Sequence, residues 1–168
     1  MSPAQRKYLL LEQGVGAAVV NFVLNAGIAA LIFHRYDVVP LWGQQSIVGD
    51  TIGTTFMLPL LTCLIVTRLA RGQIRAGKVA ALGWTRTSHP LLTWLPDNTG
   101  RRGLVLGLVC AALVAPPAVW VLSALDIGTM SFWRFVLFKA TFAAALAAVI
   151  TPVIALWAIA AAEPTPQP

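Results

Sequence analysis

Inside otherwise apolar runs of this chain stand one aspartate, one lysine and a few asparagines and threonines, the side chains best placed to do chemistry. Asn21 and Asn25 fall in a run covering residues 14–33, Asp50, Thr51 and Thr54 in one covering residues 47–67, and Lys139 in one covering residues 135–161. Ala17, Asn21, Asn25 and Ala29 recur every four residues and therefore share one face of a helix. At 1.5 Å of rise per residue, Asn25 lies about 12 Å below the end of its run and Thr54 at a similar depth in the next, so an antiparallel hairpin brings them to one level. An ionised carboxylate in lipid is costly without a cation, a polar cavity or a proton, and ionisable groups there usually face the bundle interior and pair. Asp50 and Lys139 are thus expected to pair or to share a polar pocket, with Asn21, Asn25, Thr51 and Thr54 around them as a candidate site for an ion or small solute. In the alternative, Lys139 snorkels to the headgroups while Asp50 caps its own helix.

The elements that must hold these groups follow from composition. The 168 residues are 58% hydrophobic and 11% charged, against about 25% charged in soluble domains. A water-soluble fold has no way to hide that much apolar surface. Four runs, residues 14–33, 47–67, 103–125 and 135–161, are each long enough to cross a hydrocarbon core of roughly 30 Å as a helix. Backbone groups in lipid must be paired within the segment, and the alternation of a barrel strand is absent. The expected fold is an all-α integral membrane protein, a single domain over residues 1–168 with four transmembrane helices as two antiparallel hairpins in one bundle. A weak parallel internal repeat relates residues 14–37 to 103–126, each copy starting on Gly, ending on Asp and leading to a Trp (Trp42, Trp133).

Orientation comes from charge. Arg6 and Lys7 precede the first run, and Arg68, Arg71, Arg75, Lys78, Arg86, Arg101 and Arg102 lie in the loop of residues 68–102, which puts nine of the twelve basic residues on one side. Positive loops stay in the cytoplasm, so both termini and the long loop are expected inside, in a bacterial cytoplasmic membrane, with Trp42 and Trp133 as an outer aromatic belt. On a helical continuation of the second run Arg68, Arg71, Arg75 and Lys78 share an arc of about 80°, a candidate contact for anionic headgroups. Asp97 or Thr99 is expected to cap the third helix. Residues 87–99 are expected to graze the membrane surface, and the proline-rich tail 163–168 to be disordered.

Small residues supply the helix contacts: Gly49 and Gly53 form one GxxxG, Gly103 and Gly107 a second, and Ala140, Ala144 and Ala148 a stripe in the fourth run. Pro59 and Pro152 bend their helices, with Thr55 and Thr151 placed to satisfy freed carbonyls. Cys63 and Cys110 lie singly in apolar runs, and His34 and His89 in loops without second ligands, so neither metal nor cofactor is expected. The net charge of +6 flanks membrane spans rather than a solvated face, which argues against nucleic acid. Gly49-Asp50 resembles half of the paired acidic motif of intramembrane aspartyl proteases, but Ile47 stands where that motif's first glycine belongs, and Asp37 lies in a short loop. Metalloprotease, serine-hydrolase and nucleotide-loop motifs are absent, and no enzyme is expected. Two functions remain: a small transporter or channel for an ion or solute, working as an oligomer, or a structural or accessory subunit bound to another membrane protein or to anionic lipid.

Overall fold

A computed structural model describes residues 2–82 and 95–162. The chain is mostly helical: α1 (Pro3–Lys7), a π-helical stretch Tyr8–Gly16 and α2 (Ala17–Phe33) run on as one rod, followed by α3 (Ile47–Arg75), α4 (Thr99–Ala124) and α5 (Phe132–Ala160). Four segments, Gln5–Phe33, Ile47–Arg75, Thr99–Ala124 and Phe132–Ala160, are long and apolar enough to cross a membrane. Leu31, Leu113 and Val149 expose between 66% and 76% of their surface, which water would penalise and lipid does not.

The first rod starts well before residue 14. Ser2 and Gln5 form a reciprocal capping box, Gln5 N–H to Ser2 Oγ at 3.2 Å and Ser2 N–H to Gln5 Oε1 at 2.7 Å. The Gln5 side chain then donates to the Ala80 carbonyl at 2.9 Å, tying the N-terminus to the chain beyond α3. Ser46 caps α3 by accepting from the Gly49 amide. Asn98, rather than Asp97 or Thr99, caps α4, accepting from Gly100 and Arg101 at 2.9 and 3.1 Å. Asn98 is the last extended residue before the helix, where its side-chain oxygen reaches the second and third helical amides.

The helices are not arranged as two sequential hairpins. α2 packs against α5, α5 against α3 and α3 against α4, so α3 and α5 are central and α2 and α4 flank them. In the most apolar stretch of each helix, half of α5 is buried but only 6% of the first rod. Two short strands, β1 (Val38–Pro40) and β2 (Thr129–Ser131), pair antiparallel with Val39 opposite Met130. They staple the α2–α3 loop to the α4–α5 loop at one end of the molecule, the short-loop end. Leu41 N–H to Gly128 O at 2.8 Å and Phe132 N–H to Asp37 O at 3.0 Å complete this staple and satisfy backbone that would otherwise be unpaired. Beneath it Phe33 meets Phe135 edge to face at 4.6 Å, in a core with Ala29, Ile47, Leu122 and Val136.

The opposite, basic end is closed by Leu82 N–H to Ile159 O at 2.9 Å and by a core of Tyr8, Cys63, Val66, Ala70, Ile154 and Ala158. α3 extends to Arg75, leaving Arg68, Arg71 and Arg75 exposed on it, while Lys78 lies just past its end. The grazing segment expected over residues 87–99 falls largely outside the described residues, as do the tail 163–168 and the basic residue Arg86.

Candidate functional site

Two polar groupings join the helices, one at each end. At the short-loop end Asp50, in the first turn of α3, forms a direct ion pair with Lys139 of α5. Lys139 is two turns into its helix and only 4% exposed, so its ammonium is held inward instead of snorkelling. Asp50 is fixed twice over: Ser46 rather than Asp50 caps the helix, and the N-terminal end of the α3 dipole favours the carboxylate. The Thr54 hydroxyl lies one turn on, within hydrogen-bonding reach of Asp50.

The rest of the expected cluster does not assemble around this pair. Asn21 Nδ2 donates to the Ala17 carbonyl at 2.9 Å, and Asn25 Nδ2 to the Asn21 carbonyl at 3.0 Å, so both amides are turned onto their own helix. Their face is the one α2 turns inward, but it meets α5, because α2 does not pack on α3. Thr51 likewise donates to the Ile47 carbonyl at 2.7 Å. Thr55 donates to the carbonyls of Thr51 and Ile52, not to the Thr55 carbonyl that Pro59 frees, and the Thr151 hydroxyl has no partner among the described residues, so neither threonine compensates its proline.

At the basic end Arg102 is wholly buried. Its guanidinium lies 3.4 Å from the centroid of the Trp157 ring. Nη2 donates to Thr67 Oγ1 at 2.9 Å, and Nε contacts Cys63 Sγ at 3.3 Å. Cys63 in turn donates to the Thr99 carbonyl at 3.6 Å. One arginine thus links α4, α3 and α5 through a thiol, a hydroxyl and an aromatic face, as suits a weakly hydrated guanidinium that stacks on rings. By sequence Arg102 counts among the loop charges and Cys63 is a lone cysteine of an apolar run. The signal available was positional: Arg102 stands three residues inside the start of α4 and Trp157 three residues before the end of α5, at matching depth once the helix ends are known.

Close packing at the same end comes from the second GxxxG. A Cβ on Gly107 would lie 2.7 Å from the Phe56 carbonyl, and one on Gly103 would lie 3.0 Å from the Leu60 side chain and 3.1 Å from its carbonyl. Gly49 and Gly53 play no such part among the described residues: Gly53 has nothing within 4 Å of the Cβ position, and Gly49 only the Ser46 cap and the Gln44 carbonyl of the preceding loop. In the first half of α5 the buried alanines are Ala140, Ala143 and Ala147, a stripe turned slightly from the expected Ala140, Ala144 and Ala148 because the helix packs between α2 and α3.

Among the described residues no group of His, Cys, Asp and Glu side chains could hold a metal ion. Trp42 and Trp133 are both exposed at the short-loop end. Chemically, the arrangement offers an ion pair and a cation–π tie that lock helices together. Comparison with known proteins finds no matching family model, curated protein or solved structure.

Proposed function

We propose that the chain is an integral membrane accessory subunit, held as a rigid helical unit by its polar ties and working by association within the bilayer. The observation that carries this reading is the Lys139–Asp50 pair, closed on itself and almost entirely buried between the two central helices. Asn21, Asn25 and Thr51 donate to carbonyls of their own helices and only Thr54 stays with the ion pair, which supports a structural role for these groups over a solute path lined by them. In this reading the short-loop end faces outward from a bacterial cytoplasmic membrane. The exposed Arg68, Arg71, Arg75 and Lys78 face the cytoplasm, where they attract anionic headgroups by about 1 kcal/mol per residue near the surface. The first rod, with 6% of its apolar stretch buried, leaves most of its surface for contacts in the membrane plane.

A second reading, passage of an ion or solute through an oligomer, is favoured by one observation, an ionisable pair held inside the apolar region. Purification of the full chain in mild detergent separates the two. Co-purification with a different membrane protein at fixed stoichiometry is expected. A self-assembled species that carries solute in proteoliposomes, with flux lost in Asp50→Asn, would replace the first reading by the second.

A further inference from the structure

The short-loop end carries a charged cleft that neither polar tie uses. α4 packs on α3 and leaves an open cleft toward α5. Its upper part is a cavity of about 310 Å³ lined by Asp126, Thr129, Met130, Arg134 and Phe138. Its lower part is an almost wholly apolar groove of about 440 Å³ between Leu113, Pro117, Val121 and Leu122 of α4 and Phe138 of α5. Phe138 borders both, so an open cleft with the exposed Asp126 and Arg134 at the helix ends continues into an apolar slot directed along the helices.

The two exposed charges of the cleft are opposite in sign, yet they do not pair with each other. Among the described residues neither the Asp126 carboxylate nor the Arg134 guanidinium has a hydrogen-bond or ion-pair partner. Asp126 also stands at a left-handed position that glycine suits best and that aspartate is among the few other residues to adopt. α4 ends in a Schellman turn, with Asp126 N–H to Ser123 O and Ile127 N–H to Leu122 O both at 3.1 Å, and Asp126 at its left-handed position with φ 52°. α3 ends in the same turn with Gly77 at the equivalent place, φ 68°. A carboxylate at a helix C-terminus further opposes the helix dipole. The helix end that Asp126 closes therefore gives no reason for its negative charge.

We propose that this cleft binds a phospholipid with a zwitterionic, primary-amine headgroup: the phosphate at Arg134, the ammonium at Asp126 and an acyl chain along the apolar groove. A guanidinium can grip phosphate oxygens through two parallel N–H donors. A carboxylate accepts hydrogen bonds from a primary ammonium, which a quaternary choline lacks. Charge complementarity selects against a purely anionic headgroup, which offers Asp126 no cation. The continuous apolar slot selects a lipid over a free zwitterion.

The test is lipid retention by the intact protein extracted from nanodiscs of equal phosphatidylethanolamine and phosphatidylglycerol, read by native mass spectrometry. Retained phosphatidylethanolamine in excess on the order of tenfold is expected. The excess should vanish in Asp126→Asn and in Asp126→Gly, the latter chosen because glycine suits the backbone there and keeps the fold. Arg134→Gln should lower retention of both lipids. Competition with soluble glycerophosphoethanolamine should fail to displace the lipid. Equal retention of the two lipids by the wild-type chain, a preference unchanged in the Asp126 variants, or displacement by the chain-free headgroup would each overturn the proposal. None of these outcomes bears on whether the chain binds another membrane protein.

Discussion

The two polar ties solve one problem in opposite ways. At the short-loop end Asp50 and Lys139 bring equal and opposite charges, so the pair is neutral and its members depend on each other. At the basic end Arg102 is a cation whose contacts are a thiol, a hydroxyl and a ring, spread over two other helices. The first tie is pairwise and joins only the central helices α3 and α5. The second is shared, and it fastens the flanking helix α4 to both. A pairwise tie can be removed whole at small cost, because deleting both charges leaves nothing buried and unpaired. A shared tie has no such compensating deletion.

That contrast is most exposed by removing one charge. Lys139→Met leaves Asp50 buried beside an apolar side chain and is expected to destabilise the bundle by about 3–5 kcal/mol, measured by unfolding in a fixed detergent. Arg102→Lys keeps the charge but loses the planar fork and most of the stacking on Trp157. A loss of about 2 kcal/mol is expected, with quenching of the buried tryptophan changed. If Arg102→Lys proved silent, the basic-end tie would reduce to simple charge burial and the comparison would fail on that side.

The Arg102 tie needs α4 held close to α3, which Gly103 and Gly107 permit. Gly107→Ala drives a Cβ to 2.7 Å from the Phe56 carbonyl and is expected to cost about 1–3 kcal/mol. Gly53→Ala, with open space around it, should be neutral or stabilising by about 0.5–1 kcal/mol through helix propensity. The smallest effect should come from Asn25→Ala. The Asn25 amide bonds only its own helix, so the change should cost no more than about 0.6 kcal/mol and leave the Asp50–Lys139 pair intact.

The four apolar segments were legible in the sequence because bilayer thickness imposes their length, and hydropathy reports it directly. The pairing of Asp50 with Lys139 was also within reach, since depth along each helix follows from residue count. Which helices touch was not. The spacing of Asn21 and Asn25 marks the inward face of α2 but carries no information on whether α3 or α5 lies opposite. The short loops and their β1–β2 staple decide that. The early start of the first rod has a signal in the Ser2-x-x-Gln5 capping pattern, which an apolar run counted from residue 14 does not include. Arg102 was missed because a basic residue beside a glycine-led helix counts as a loop charge until the helix is seen to begin at Thr99.

The central claim, that the buried ion pair is a mutual structural tie, is tested most directly by a double-mutant cycle of Asp50→Leu and Lys139→Met, with unfolding free energies measured in one detergent. A coupling of about 2 kcal/mol or more is expected, the double variant being nearly as stable as the parent while each single change is costly. Costs that simply add, with the double variant the least stable of the four, would contradict it.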